Sequence, residues 1–536
     1  LIRRARNSRA DPQGVSSYKW DTDGGLDRDD VLDRLVNDFV HINLPFTAVN
    51  GTIMLTIIET KTDFTPINRA VLIERFVETL LEKNSLEKAK RSRFDFTNKT
   101  HFLSYLARHM VQNEEYALPE DKLYSVSAQF FRHYGLREQT RTQVDNFIAA
   151  KILVERGGYI RFRYRAFLEY FVGLAMVHED DFKDWILSED RYLSFANEIE
   201  YYAGIQRQDR KLLDLIGDRF MTLTSELEAE SGWDFDVSPL DEIRPPKKED
   251  RDTEIAAIEE QLHAPRMTQE ERDSLLEQDL PKNVGERQEV YRPLFESVGE
   301  KWNMCLILYS GVLRNSEMVP DERKRHHLRQ VLWGWGIFTL ISLIFVPSLA
   351  KNRRIVVNGI SYEVIAGRRV SDSELARRLY LSMPRAVSDL LRSCLATEKL
   401  EHQLGAERLD EIEDPRIIKF FKSFLYVEMR LPEYLKVLDE LREKLRESEY
   451  LTEAYIWKVK HLLPRLHMTD QEDKKMRKSL SKAIGTISTN KASERQRKAA
   501  DHYQRLEQAR LIEKLKVSAK LDFAQNRALL RLFGRA

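Results

Sequence analysis

The stretch Lys151-Ile-Leu-Val-Glu-Arg-Gly-Gly-Tyr-Ile-Arg-Phe-Arg-Tyr-Arg-Ala-Phe-Leu-Glu-Tyr-Phe171 decides how this chain is read. Two short runs, Ile152 to Arg156 and Tyr159 to Arg163, flank Gly157-Gly158, and that glycine pair supplies the positive φ a tight hairpin requires. An amphipathic helix is predicted to follow, from Tyr164 to about His178.

Upstream of the hairpin the pattern predicts two short helices over 120–134 and 138–150. Helix, helix and two-stranded wing is a winged-helix order. Further toward the N-terminus, Val71, Leu72, Phe76, Leu80 and Leu81 form one helical face, and Phe102, Leu103, Leu106 and Met110 another. Val31, Leu32, Leu35, Val36 and Phe39 predict an earlier helix that stops at Leu44-Pro45, and a further one spans about Asn50 to Glu59. Residues 1–25 are polar with Asp21, Asp23, Gly24 and Gly25, which predicts a flexible lead-in.

Downstream, residues 221–300 become acidic and broken around Pro245-Pro246-Lys247-Lys248, a linker by composition. Past Trp302 helices resume in units of roughly 15–20 residues, as an α-helical, solenoid-like array would give, although no clean repeat period is present. One hairpin interrupts them. Ile355-Val356-Val357 and Ile360 to Val364 flank Asn358-Gly359, the strongest short hairpin signal.

The composition suits this mainly α reading. The 536 residues are 42% hydrophobic, enough for a large core, and at about 150 residues per domain they predict several domains. Eighty-six Lys and Arg balance 86 Asp and Glu, so any attraction to nucleic acid or membrane must be local. Two cysteines, Cys305 and Cys394, leave no disulfide framework or thiolate zinc site, which points to a reducing, cytoplasmic setting.

Catalytic signatures are missing. A phosphate-cradling loop needs G-x-x-x-x-G-K-[ST], whose glycines let backbone N–H groups face the phosphates, and no such string occurs. G-x-S-x-G, H-E-x-x-H and paired C-x-x-C are absent too. His326-His327 point to different helix faces and are expected at the surface or in a cap, and His178-Glu179-Asp180-Asp181 reads as a helix end followed by an N-cap. No catalytic and no metal-binding residue is assigned.

Several strings resemble the segment that follows the nucleotide-binding core in STAND-class NTPases of the NACHT type. Asn43-Leu44-Pro45-Phe46-Thr47 is similar to the family's Leu-Pro element, and Pro66-Ile67-Asn68-Arg69-Ala70-Val71-Leu72 to the helical subdomain after it. Phe162-Arg163-Tyr164-Arg165-Ala166-Phe167-Leu168-Glu169-Tyr170 resembles F-x-H-x-x-F-x-E-[YF] at the end of the family's winged helix, with Tyr164 in place of the His. A phenol can donate one hydrogen bond but cannot carry imidazolium charge to a phosphate.

The resemblance covers about residues 30–220. It implies Pro45 and Tyr164 beside a nucleotide, Glu169 as structural, and a helical lid over 26–118 before a winged-helix region over 119–220. It further implies that this chain alone binds no cofactor and that its phosphate loop lies N-terminal to Leu1, with ATP or ADP and Mg held by the full-length protein. The implied partners are that upstream NTPase core with its effector, a protein or nucleic-acid trigger, and further copies of the chain on activation. The implied setting is prokaryotic antiviral defence, with sensing by helices over 301–470, including a hairpin at 354–365.

Two further features bear on other functions. Val331 to Ala350 carries no charge over 20 residues and matches a membrane span in length, but Gly334, Gly336, Pro347 and basic flanks favour a buried helix, so no membrane is expected. The C-terminal region 471–536 is basic, and from Asp473 onward holds 17 Lys and Arg against 6 Asp and Glu. Lys474, Lys475, Arg477 and Lys478 are its candidate partner-binding residues. The alternative function is therefore a stand-alone helical scaffold or nucleic-acid adaptor using this C-terminus.

Overall fold

The computed structural model describes residues 68–83, 94–136, 140–233, 235–243, 297–357, 360–363, 370–405, 414–466 and 468–489, with isolated positions between 258 and 295. The helices expected near 31–39 and 50–59, Pro45, and the basic residues past 489 lie outside them. The described residues are mostly helical, with a three-stranded antiparallel sheet and one further hairpin. They group into two compact units, the first ending at Asp209 and also taking 273–294, the second beginning at Arg210.

Among the described residues the first helix of this unit is α1 (Arg69–Lys83), whose first turn is capped by Asn68: its Oδ1 accepts from Val71 N at 3.0 Å. Helix α2 (Phe96–Gln112) is capped by Asp95, which accepts from Asn98 N at 2.9 Å. Strand β1 (Leu118–Pro119), α3 (Glu120–His133), α4 (Thr140–Ala149), β2 (Leu153–Arg156), β3 (Tyr159–Phe162) and α5 (Arg165–His178) follow in order. The hairpin forms at the expected residues, with Leu153 opposite Phe162, Arg156 opposite Tyr159, and φ of 62° and 79° at Gly157 and Gly158.

Strand β1 is the element the sequence pattern does not reveal. It pairs Leu118 with Ile160 and Pro119 with Tyr159, giving the order β1-β3-β2. Two residues are too few to show alternation, and Pro119, lacking an N–H, fits an edge strand.

Helix α5 also departs from expectation. Instead of burying one face as an amphipathic helix does, it is covered on all sides over its middle: Ala166 to Gly173 are all buried, as are Ala175 and Met176. It packs against α2 and against α7 (Ala196–Gln206), with α6 (Asp180–Ile186) and a 3-10 turn (Tyr192–Phe195) between α5 and α7. At Gly173 the two helices come so close that a Cβ would stand 2.9 Å from Tyr201 Cβ and 3.0 Å from Tyr202 N.

The second unit starts with α8 (Arg210–Ser231), followed by the short α9 (Pro239–Glu242) and α10 (Val298–Asn315). Ser297 and Glu300 form a reciprocal capping box at the start of α10. Helix α11 (Asp321–Asn352) runs unbroken through Gly334, Gly336 and Pro347. It is long and apolar enough to cross a membrane, yet 67% of its most apolar window is buried inside the unit. Its indole Trp335 donates to Ser310 Oγ at 3.0 Å, and Gly334 lets Phe220 and Leu306 approach its backbone.

A hairpin of β4 (Arg354–Val357) and β5 (Ile360–Glu363) leads to α12 (Asp372–Leu395). Then come α13 (Glu401–Leu404), α14 (Arg416–Glu428), α15 (Tyr434–Leu445), α16 (Glu449–Leu462) and α17 (Asp470–Thr489). Among its described residues the unit buries an ionic cluster. Lys458 on α16 is fully buried and lies 2.7 Å from Glu428 Oε1, donates to Asp389, and shares Glu428 with Arg392.

His327 corrects the sequence reading. Its neighbour His326 is exposed, but His327 is buried, with Nδ1 2.5 Å from the Tyr309 hydroxyl and Nε2 3.1 Å from Asp214 Oδ1. Helix periodicity separates the two faces but cannot say that α8 and α10 cover one of them.

Gly173→Val forces α5 and α7 apart and is expected to destabilise the first unit by about 1–3 kcal/mol, measured by hydrogen exchange of segment 165–206. In the second unit, burial together with the nearby Arg465 pushes His461 down to about 4, and its Nδ1 faces the Arg385 guanidinium at 3.1 Å. The unfolded chain takes up this proton near pH 6.5 while the folded one resists to about pH 4. Stability from this site is therefore complete above about pH 6.5 and is lost as the pH falls toward 4. His461→Asn should flatten the difference in melting temperature across that window.

Candidate functional site

The residues that carry chemical distinction in the first unit meet around the start of α5. Glu169, one turn into that helix, is buried at 1% exposure. Its Oε1 accepts from Arg165 Nε at 2.7 Å and from Asn197 Nδ2 at 2.9 Å, while Arg69 Nη2 stands 3.8 Å from Oε2.

Arg69 comes from α1, about a hundred residues earlier. It reaches Glu200 Oε2 at 3.9 Å and lies 4.8 Å from the centre of the Tyr201 ring. Burial works against its charge, but Tyr201, Glu200 and Glu169 more than offset it and hold the guanidinium above its ordinary pKa. Asn68, one residue earlier, donates to the Gly204 carbonyl at 2.8 Å, so the start of α1 is tied to both α5 and α7.

A second buried acid lies beside the first. Glu198 on α7 is buried, and Arg292 Nη1 stands 2.6 Å from its Oε1. Burial raises the Glu198 pKa, Arg292 opposes that rise, and the neighbouring Glu169 adds to it. Arg292 also donates to the Tyr116 hydroxyl at 3.2 Å and the Ser194 carbonyl at 3.1 Å, and lies over the Phe195 ring at 4.0 Å. Arg69 and Arg292 thus clamp adjacent buried carboxylates through different helices.

Tyr164 occupies the N-cap of α5 with extended backbone angles (φ −120°, ψ 144°) and is half-buried. Its ring meets Phe167 edge-on at 5.2 Å, and Phe167 meets Phe76 of α1 at 6.0 Å. The Arg163 guanidinium lies 5.4 Å from the Tyr164 ring centre. The aromatic chain Tyr164–Phe167–Phe76 therefore parallels the ionic link Glu169–Arg69: both connect the sheet-to-helix junction to α1.

Each carboxylate is engaged by a guanidinium, and no group of three metal-ligating side chains occurs among the described residues. The arrangement holds elements together and sets where Tyr164 sits. Pro45, the other residue expected near a nucleotide, lies outside the described residues.

The basic candidates fall on α17 of the second unit. Lys474, Lys475 and Lys478 are exposed there, but Arg477 pairs with Asp473 at 2.7 Å and donates to the Leu262 carbonyl at 2.7 Å. Three of the four remain presented to solvent, while Arg477 has a structural attachment that its neighbours do not share.

Sequence reasoning did not find the Arg69–Glu169 and Arg292–Glu198 pairs. Arg69 and Glu169 each sit inside a string read as significant, but nothing local says that they meet. Arg292 lies in a stretch read as a linker.

Residues 116–172 match the family described as Novel STAND NTPase 4. That match associates the chain with STAND-type NTPases. It runs from just before β1 to just past the Phe162–Phe171 string, so it covers the sheet, Tyr164 and Glu169, and excludes Arg69 and Arg292. No curated protein and no solved structure matches the chain.

Removing Arg69 takes from Glu169 and Glu200, both at low exposure, the cation they share. Arg69→Leu should destabilise the first unit by about 3 kcal/mol, and the double variant with Glu169→Gln should cost less than the two single changes summed, in a denaturant double-mutant cycle. Arg69→Lys should not restore stability, because a point charge cannot replace a fork that serves two carboxylates.

Proposed function

We propose that this chain is the regulatory and ligand-sensing part of a STAND-type, NACHT-like NTPase switch in prokaryotic antiviral defence. The observation that carries the reading is the family match over residues 116–172, which ends on the string containing Tyr164 and Glu169. The helix–helix–hairpin order with a third strand supports a winged helix for this region. The nucleotide-binding core it serves, with ATP or ADP and Mg, lies outside residues 1–536, since no phosphate-cradling loop occurs among them.

In this reading α1 belongs to the lid that follows the core, and Tyr164 and Pro45 lie beside the nucleotide. The paired links from α5 to α1 give the device its physical basis. A change at Tyr164 is felt by Phe167 and Phe76, and a shift of α1 breaks the Arg69–Glu169 pair in a poorly hydrated setting where the loss is large. Such an interaction has two discrete arrangements, made and broken, which is what a switch needs. The helices after Trp302 form the sensor, and Lys474, Lys475 and Lys478 offer a protein or nucleic-acid trigger its contact. Activation assembles further copies of the chain, and no membrane takes part.

The gene that encodes this chain should carry G-x-x-x-x-G-K-[ST] in frame ahead of Leu1; a stop codon there without that string would sink the proposal. In the encoded full-length protein, Tyr164→Ala should speed ADP release about five-fold, the worth of one hydrogen bond of about 1 kcal/mol, as read by stopped-flow with a fluorescent ADP. Unchanged release would remove Tyr164 from the nucleotide site.

A further inference from the structure

The three-stranded sheet has two faces of opposite character. Cross-strand partners share a face, so Leu153 and Phe162 point to the core with Leu118 and Ile160, and all four are buried. The other face carries Arg156 opposite Tyr159, Arg161 opposite Val154, and, continuing the alternation past β3, Arg163, whose amide donates to the Ile152 carbonyl at 2.9 Å. Three arginines and a tyrosine thus share one side of the hairpin. Glu155, the hairpin's acid, pairs with Ile160 and so belongs to the opposite face.

The face is open. Arg156 is exposed, Tyr159 is 52% exposed, and Arg161 and Arg163 are half-exposed. Neither Arg156 nor Arg161 has an ion-pair partner among the described residues, and Arg161 Nε is buried without a hydrogen-bond acceptor. The contrast with Arg69, Arg165 and Arg292 is chemical: those three are committed to buried carboxylates, whereas Arg156 on β2 and Arg161 on β3 face no carboxylate across the hairpin, their cross-strand partners being Tyr159 and Val154.

From this face we infer that the hairpin binds a single-stranded nucleic acid, with its phosphates on Arg156, Arg161 and Arg163 and an unpaired base stacked on Tyr159. Charge complementarity names a polyanion. The exposed phenol ring selects among polyanions, because an unstacked base offers a π-face that a duplex backbone or an acidic peptide does not. Arginines two residues apart on a strand are spaced by about 6.7 Å, so the row follows an extended chain of phosphates and does not focus on one. Guanidinium groups hydrogen-bond phosphate oxygens in pairs, which lysines at these positions would not. The inference stands on the sheet alone and does not depend on a nucleotide switch.

The test uses the whole 536-residue chain and fluorescence anisotropy with a labelled mixed-sequence 20-nucleotide single strand, its duplex, a poly-glutamate peptide of equal charge, and ADP. The single strand should bind tightest, with log K falling against log salt with a slope of about −2 for three phosphates. Arg156→Glu with Tyr159→Ala, both at exposed positions, should weaken it at least ten-fold while circular dichroism is unchanged. Arg161→Glu should weaken it further.

Tyr159→Ala alone should remove the preference for single strand over duplex. Replacing Lys474, Lys475 and Lys478 should leave the hairpin's contribution intact. Absence of binding, a duplex or poly-glutamate bound as tightly as the single strand, ADP bound as tightly as the 20-mer, or loss only in the lysine variant would each overturn the inference.

Discussion

Glu169 is the constraint around which the first unit is arranged. A carboxylate at 1% exposure is tolerable only when cations and hydrogen-bond donors replace the water it has lost, and they come from its own helix, from α7 and from α1. Meeting that requirement fixes three helices against one another. The glycine at 173 then lets α5 and α7 approach to near backbone contact, which dispersion alone would not require of any particular residue.

The same logic recurs in the second unit with the sign reversed. Lys458 is a fully buried cation surrounded by Glu428 and Asp389, and Arg392 balances the excess acid. Burial would raise the Asp389 pKa, yet Lys458 more than offsets it and holds the carboxyl below its usual range. In both units a buried charge is satisfied by helices far apart in sequence. Such pairs contribute little net stability over an apolar core but penalise any arrangement that separates the partners.

For function, the consequence lies in where these penalties fall. The ionic link Glu169–Arg69 and the aromatic chain Tyr164–Phe167–Phe76 both tie the sheet-to-helix junction to α1. The family match covers the junction, and both links end on a helix beyond the matched residues. Of the arginines on the sheet's open face, Arg156 and Arg161 stand apart from these links, whereas the Arg163 guanidinium lies 5.4 Å from the centre of the Tyr164 ring and so touches the aromatic one.

The sequence by itself determined the mostly helical class and placed the helices at 120–133, 140–149 and 165–178 within two residues. It also placed both hairpins, because hydrophobic period and glycine turns are local properties of the chain. It marked the Tyr164–Glu169 string as the place to look for the same reason. Only the tertiary structure decided that α5 is buried all round, that His327 faces inward, that Leu118–Pro119 is a strand, and that Glu169 meets Arg69 while Glu198 meets Arg292. Each of these depends on which surfaces close over a residue from distant parts of the chain, and neither propensity nor spacing encodes that. A buried ion pair between residues a hundred apart is written in the sequence only as two ordinary charges.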